Sequence, residues 1–257
     1  MPVTSSVDTS GVATLLLDRA AKRNALDGAM LESLLGEVCS LATAEIRCVV
    51  VRGAGGTFCA GADIADWVAP AGPDAAALSK LGRDAFSALA ALPVPSIAVI
   101  EGTAVGGGFE LALACDVRVA TEGALIGFPE LALGNLPAWG GLTRLIDAAG
   151  LGVARHLLLT GELVTGERAA ALGAVTSVAA EGHLDSLVAA IVQRFVSSDP
   201  SAVAIAKALL SQYGTTNSPL EPTLAAYTAG LDSSRSRKQD FMDRKAAARA
   251  ARASTAV

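Results

Sequence analysis

The feature that most constrains this chain is a glycine-punctuated stretch near its middle. An apolar run of strand length, Pro95-Ser96-Ile97-Ala98-Val99-Ile100, leads into Glu101-Gly102-Thr103-Ala104-Val105-Gly106-Gly107-Gly108-Phe109-Glu110. The apolar Leu111-Ala112-Leu113-Ala114-Cys115 follows. The pattern predicts a strand, a glycine turn and a helix. Three successive glycines let a main chain approach another group with no Cβ in the way. Their amides then stand at a helix start, where the dipole favours negative charge. Glu110 is the first acid after the turn, on an otherwise apolar helix. An outward amide beside a half-buried carboxylate suits enolate-type chemistry. The same residues also fit a plain tight turn between a packed helix and sheet.

Before and after this stretch the chain alternates strand and helix patterns. Val12 to Asp18 and Ile46 to Val51 read as strands, the second with the continuous apolar character of a strand buried on both faces. Leu31, Leu34, Leu35, Val38, Leu41 and Ala42 recur at helical spacing, as do Leu78, Leu81, Ala85, Phe86, Leu89 and Leu92. Residues 65–79, rich in Ala, Pro and Gly, read as a loop or a ragged helix. Further strands are expected at Val117–Ala120 and Leu125–Phe128, and mainly helix after Pro129-Glu130. Asp199-Pro200 is a helix start, an N-cap acid with proline behind it. Strands and helices first and helices last predict an α/β fold with a helical C-terminal part. The division falls as 1–197 for the core and 198–257 for the helical region.

Composition narrows the function classes. A chain of 257 residues, 52% hydrophobic, can bury a substantial core. No apolar run reaches the ~18 residues that span a bilayer, and no basic leader precedes Asp8. The expectation is a protein of the cytoplasm with no membrane partner. The net charge of −5 argues against a nucleic-acid partner. The four cysteines have no CxxC spacing, so no metal site is expected. A dinucleotide fingerprint fails, because after Gly53-Ala54-Gly55 the third glycine position is Phe58. No GxSxG is present, and His156 and His183 support no hydrolase or metal constellation.

A second glycine-lined strand exit, Phe58-Cys59-Ala60-Gly61-Ala62-Asp63-Ile64, parallels the first. Two such exits could offer two main-chain amides to one oxygen, and losing one such donor typically costs about 3 kcal/mol at the transition state. Gly127-Phe128-Pro129-Glu130 then places a second carboxylate after a proline turn. With Asn24-Ala25-Leu26, Gly140-Gly141, Leu159-Thr160-Gly161-Glu162, Ala170-Ala171-Leu172-Gly173 and Ala206-Lys207-Ala208-Leu209-Leu210, these motifs in this order resemble the crotonase superfamily, and within it the enoyl-CoA hydratase/isomerase family.

The resemblance implies a crotonase-like spiral of repeated ββα units with a helical C-terminal trimerisation region, giving a homotrimer or hexamer. It implies an acyl-CoA substrate and no separate cofactor, coenzyme A being part of the substrate. Its thioester oxygen would lie between the amides of Ala62 and Gly107, the oxyanion hole. Leu26, Ala60, Ala62, Asp63, Ile64, Gly107 and Ala138 would line the substrate and coenzyme A site. Glu110 and Glu130 would be the catalytic pair, holding a water that adds across the 2,3 double bond. Glu130 is expected to donate the proton to C2 and Glu110 to act as base toward water. Isomerases of the superfamily commonly manage with one glutamate, so two favour an enoyl-CoA hydratase. An enoyl-CoA delta isomerase or another acyl-CoA reaction of the crotonase superfamily, and a non-catalytic acyl-CoA-binding protein, are the alternatives.

The chain departs from the family pattern in two places. Hydratases usually carry a small Gly-Ala pair where this chain has Ala138-Trp139, and Trp139 would either reshape the acyl pocket or pack beneath the loop. The tail from Arg235 carries a balance of +5 and lacks the usual C-terminal motif. Lys22, Arg23 and Lys245 are candidates for the coenzyme A phosphates, with solvated surface charge as the simpler reading.

Overall fold

The computed structural model describes residues 2–64, 73–211 and positions 232, 236, 239, 240, 243, 244, 246 and 247. Lys245 and most of the tail lie outside the described residues, as do positions 65–72 of the stretch expected as loop or ragged helix. The chain divides into two compact units, Met1–Val196 and Ser197–Val257.

The first unit is built on a sheet of β1 (Val3–Val7), β2 (Val12–Leu17), β3 (Cys48–Gly53), β4 (Ser96–Ile100), β6 (Val117–Thr121) and β9 (Ser177–Ala179), in that spatial order. β1 is antiparallel to β2, and every later pairing is parallel. Burial follows position. β2 alternates, with Ala13, Leu15 and Leu17 inward, whereas all five residues of β4 are buried. Helices cover both faces of such central strands, which is why they read as unbroken apolar runs.

A second, smaller sheet carries β5 (Thr103–Val105), β7 (Leu125–Gly127) and β8 (Val164–Thr165). Isolated parallel bridges from Leu26 to Ala62 and from Cys59 to Ala104 lengthen this layer by two rungs. The chain therefore repeats one motion. It runs up a strand of the large sheet, crosses to a rung of the small layer, and returns by a helix. The helices are α1 (Gly28–Leu41), α2 (Pro73–Ala90), α3 (Gly107–Ala114) and α4 (Gly141–Thr160). This is the expected spiral of ββα turns. Between β8 and β9 lies α5 (Gly166–Ala171), and α6 (Leu184–Ser197) closes the unit.

Local chemistry sets the ends. Asp27 caps α1 by accepting from the Met30 amide at 2.8 Å. The second helix begins at Pro73, five residues before the apolar periodicity shows it, and proline suits a first turn. Glycine at 140 (φ +94°) opens α4, and Gly150 (φ +83°) breaks it midway. In the second unit, α7 (Pro200–Leu210) starts as the sequence predicts. Asp199 accepts from the Ala202 amide, with Pro200 in the first turn.

One apolar core lies among α1–α4 and the sheets, filled by Phe58, Phe86, Phe109 and Phe128, all fully buried. Truncating such a ring costs about 3–5 kcal/mol. A second cluster, including Ile97, Val99, Val119 and Leu184, packs α6 against the other face of the large sheet. Among the described residues, no helix is long and apolar enough to cross a membrane.

Candidate active site

The two glycine-lined exits meet. Cys59 bridges Ala104: its amide donates to the Thr103 carbonyl at 2.9 Å and its carbonyl accepts from the Val105 amide at 3.2 Å. Gly61 (φ +91°) follows, so close to the next strand that a Cβ there would lie 2.7 Å from the Val105 carbonyl oxygen and 3.4 Å from the Gly107 nitrogen. The loop bearing Ala62 and the first turn of α3 are thus in contact. The Ala62 amide donates to no described group. The Gly107 amide, first in its helix, has no intrahelical acceptor. Both are available to an external oxygen.

A buried polar frame fixes the Ala62 loop. Asn24, fully buried and left-handed at φ +56°, donates through Nδ2 to the carbonyls of Thr57 (2.7 Å) and Ala54 (2.9 Å). Its Oδ1 accepts from the Arg19 amide at 2.9 Å. The Arg19 guanidinium pairs with Asp63 at 2.7 Å and Asp27 at 3.0 Å, and donates to the Ala25 carbonyl. Leu26, fully buried, clamps the loop through main-chain bonds to Gly61 and Asp63. The Cys59 thiol, pushed up to about 12 by burial, sits under the loop and donates to the Asn24 carbonyl. Arg19 and Asn24 hold this site together, and sequence alone assigns them no role: Asp63 lies 44 residues from its partner Arg19.

Beside this loop is a cavity of about 290 Å³ lined by Ala21, Lys22, Arg23, Ala25, Ala60, Ala62, Asp63 and Ile64. The expected substrate-lining residues Ala60, Ala62, Asp63 and Ile64 therefore gather here, with two cations at the rim. Leu26 is not in its wall.

The carboxylates approach from the other side. Glu110 lies on α3, 2% exposed. Its Oε1 accepts from the amides of Trp139 and Gly141, both at 2.8 Å, and the Ala138 amide and Arg144 also face the carboxyl. Gly141 has to be glycine here, since a Cβ would meet Glu110 Oε1 at 3.0 Å and Cγ closer still. Glu130 follows β7 in a short 3-10 turn, Glu130–Leu133. Its Oε1 lies 2.9 Å from the position a Cβ on Gly106 would occupy, one residue before the Gly107 amide. Its Oε2 is buried with no hydrogen-bond partner.

These settings push both carboxyls up, unequally opposed. Burial raises Glu110, while the amides of Gly141, Trp139 and Ala138 and the charge of Arg144 pull it back. Burial also raises Glu130, to about 7, opposed only by its own amide and helped upward by the charge of Glu110. The ionised form of Glu110 thus has main-chain donors and a cation to support it, whereas Glu130, raised to about 7, keeps its proton to near neutrality.

Trp139 is buried, 2% exposed, and packs rather than projecting to solvent. Its ring meets Phe86 of α2 edge-on, centroids 5.4 Å apart. Its carbonyl accepts from Arg144 at 3.0 Å. Among the described residues, no group of three or more His, Cys, Asp or Glu could hold a metal ion.

Comparison with known proteins identifies the family of the chain. The enoyl-CoA hydratase/isomerase family model matches residues 8–244. The bovine "enoyl-CoA hydratase domain-containing protein 2, mitochondrial" is 34% identical over 208 residues, covering 79% of this chain and 70% of that one. An enoyl-CoA hydratase from Bacillus anthracis superposes with a TM-score of 0.88 at 30% identity, covering 95% of this chain and 97% of the other. One from Mycobacterium smegmatis superposes with a TM-score of 0.89 at 30% identity over the same shares. With its crotonase fold and a family match over nearly its whole length, this chain belongs to the enoyl-CoA hydratase/isomerase family.

Proposed function

We propose that the chain is an enoyl-CoA hydratase that adds water across the 2,3 double bond of 2-enoyl-CoA thioesters. The observation that carries this reading is the unequal setting of a buried and a half-buried carboxyl around one helix start: Glu110 held by main-chain amides, Glu130 raised to about 7 with an unpartnered, buried oxygen. One base and one acid near neutral pH is the arrangement that such an addition needs.

The thioester oxygen accepts from the amides of Ala62 and Gly107, and the coenzyme half leaves through the cavity at Ala60–Ile64, where Lys22 and Arg23 meet its phosphates. Ionised Glu110 takes a proton from water as the oxygen attacks C3. Charge moves onto the thioester oxygen, where the two amides stabilise it. Protonated Glu130 delivers its proton to C2. The net change is H and OH added to the alkene, with the proton passing from Glu110 back to Glu130 between turnovers. The C-terminal unit would carry the trimer or hexamer contacts.

Loss of the conjugated thioester absorbance on a panel of 2-enoyl-CoAs tests the proposal. Hydration of at least one member is expected. Isomerisation of 3-enoyl-CoA without hydration would replace it with the isomerase reading, and tight binding without either reaction with a binding role.

A further inference from the structure

The indole of Trp139 occupies a place for which both of its neighbours have been emptied. A Cβ on Gly107 would lie 2.7 Å from Trp139 Cε3 and closer still to Cζ3, so the benzo edge rests on the backbone of the proposed oxyanion residue. On the other side, a Cβ on Gly82 would lie 2.5 Å from Nε1 and 2.7 Å from Cδ1. Gly82 is buried in the interior of α2, where glycine weakens a helix relative to alanine. Its presence there is explained by the ring it accommodates. Phe86, one turn on, braces the indole edge-to-face. The ring thus fills the gap between the start of α3 and the middle of α2.

On the hydratase reading, that gap falls on the acyl side of the site. The two proposed oxyanion amides face different surroundings: Ala62 lines the cavity with Lys22 and Arg23, whereas Gly107 lies against Trp139. A thioester whose oxygen sits between them sends its coenzyme half toward Ala62 and its acyl half toward Gly107 and the carboxyls. Glu110 is held by the amide of Trp139 itself, so the indole and the amide that positions this carboxylate belong to one residue.

We propose that Trp139, seated on Gly82 and Gly107, is the stop that limits acyl length, making the protein selective for short acyl groups. The inference rests on the hydratase reading. The ring sets length and the amide of the same residue holds Glu110, so replacing the side chain changes the first and retains the second.

The test is a series, Trp139→Phe, Trp139→Leu and Trp139→Ala, assayed with 2-enoyl-CoAs from four to twelve carbons. One methylene in an apolar pocket is worth about tenfold or more in discrimination. The native protein is expected to favour the four-carbon substrate over the ten-carbon one by at least about tenfold, and the preference to shift by about tenfold or more toward long chains as residue 139 shrinks. The phenylalanine and leucine variants carry the test if the alanine variant does not fold. Calorimetric binding of saturated acyl-CoAs of the same lengths runs in parallel. Native turnover of all lengths alike, or a preference unmoved across the folded variants, overturns the proposal and leaves the hydratase reading standing. Absence of hydration on every substrate overturns the hydratase reading, and the binding profile then still decides whether Trp139 sets length.

Discussion

Gly82→Ala is a substitution that would normally stabilise a helix and should do the opposite here. In an open helix interior, alanine gains about 0.5–1 kcal/mol over glycine through propensity and a less flexible unfolded chain. At Gly82 the added methyl would stand 2.5 Å from Trp139 Nε1, and the indole cannot retreat, because Gly107 and Phe86 hold its far side. Overpacking of this kind costs about 1–3 kcal/mol. The net expectation is destabilisation by about 1 kcal/mol, a fall in Tm of about 2–4 °C for a domain of this size. With Trp139→Ala in place, the clash disappears and the same methyl should stabilise by its intrinsic 0.5–1 kcal/mol. The coupling between the two sites is therefore about 2 kcal/mol, within the range seen for residues in contact. Urea midpoints of the four proteins at one protein concentration measure it directly. If Gly82→Ala stabilises the native background as much as the Trp139→Ala background, the ring does not depend on that glycine, and the account of the gap between α2 and α3 is wrong.

Other consequences are more local. Glu130 is raised from 4.5 to about 7, so the folded state holds its proton more tightly than the unfolded chain. Its contribution to stability is present in full below pH 4.5 and lost as pH rises through about 7, and Glu130→Gln should flatten that loss in unfolding curves collected from pH 5 to 8. Turnover, which needs protonated Glu130, should decline above about pH 7, and a rate rising steadily to pH 9 would contradict its role as acid. Asn24→Ala would leave the Ala54 and Thr57 carbonyls and the Arg19 amide without their partner, at about 1–3 kcal/mol per buried group left unsatisfied. Its Tm should fall by several degrees, with activity lost more steeply than stability because the loop of Ala62 moves.

Much of the fold was legible because long elements announce themselves. The runs at 48–51 and 97–100 are apolar throughout because both faces of their strands are covered, and Leu31, Leu34, Val38 and Leu41 mark the buried stripe of α1. The short rungs were not. β5 has three residues between Gly102 and Gly106, so strand, turn and helix read as one passage when a second sheet intervenes. β1, β8 and β9 are likewise too short, or too polar, to show a period. The glycine at 106–108 and Glu110 pointed to the site, and the structure sets Gly107 beside the loop of Ala62. What no local pattern carries is the support at a distance: Arg19 on Asp63, Asn24 on Ala54 and Thr57, the Trp139 and Gly141 amides on Glu110, and Gly82 beneath an indole 57 residues away. These depend on which loops the spiral stacks, a property of the whole chain.

The central claim is that two carboxyls with different protonation states divide the work. Single-turnover hydration of a four-carbon 2-enoyl-CoA by the native protein, Glu110→Gln and Glu130→Gln, with substrate binding measured alongside, tests it most directly. Each variant should bind substrate and lose about 10²–10⁴-fold in rate, the contribution typical of a positioned proton-transfer group. The double variant should lose little more than the worse single, because the two act on one water. A variant that keeps binding and most of its rate would remove that glutamate from the chemistry and contradict the account.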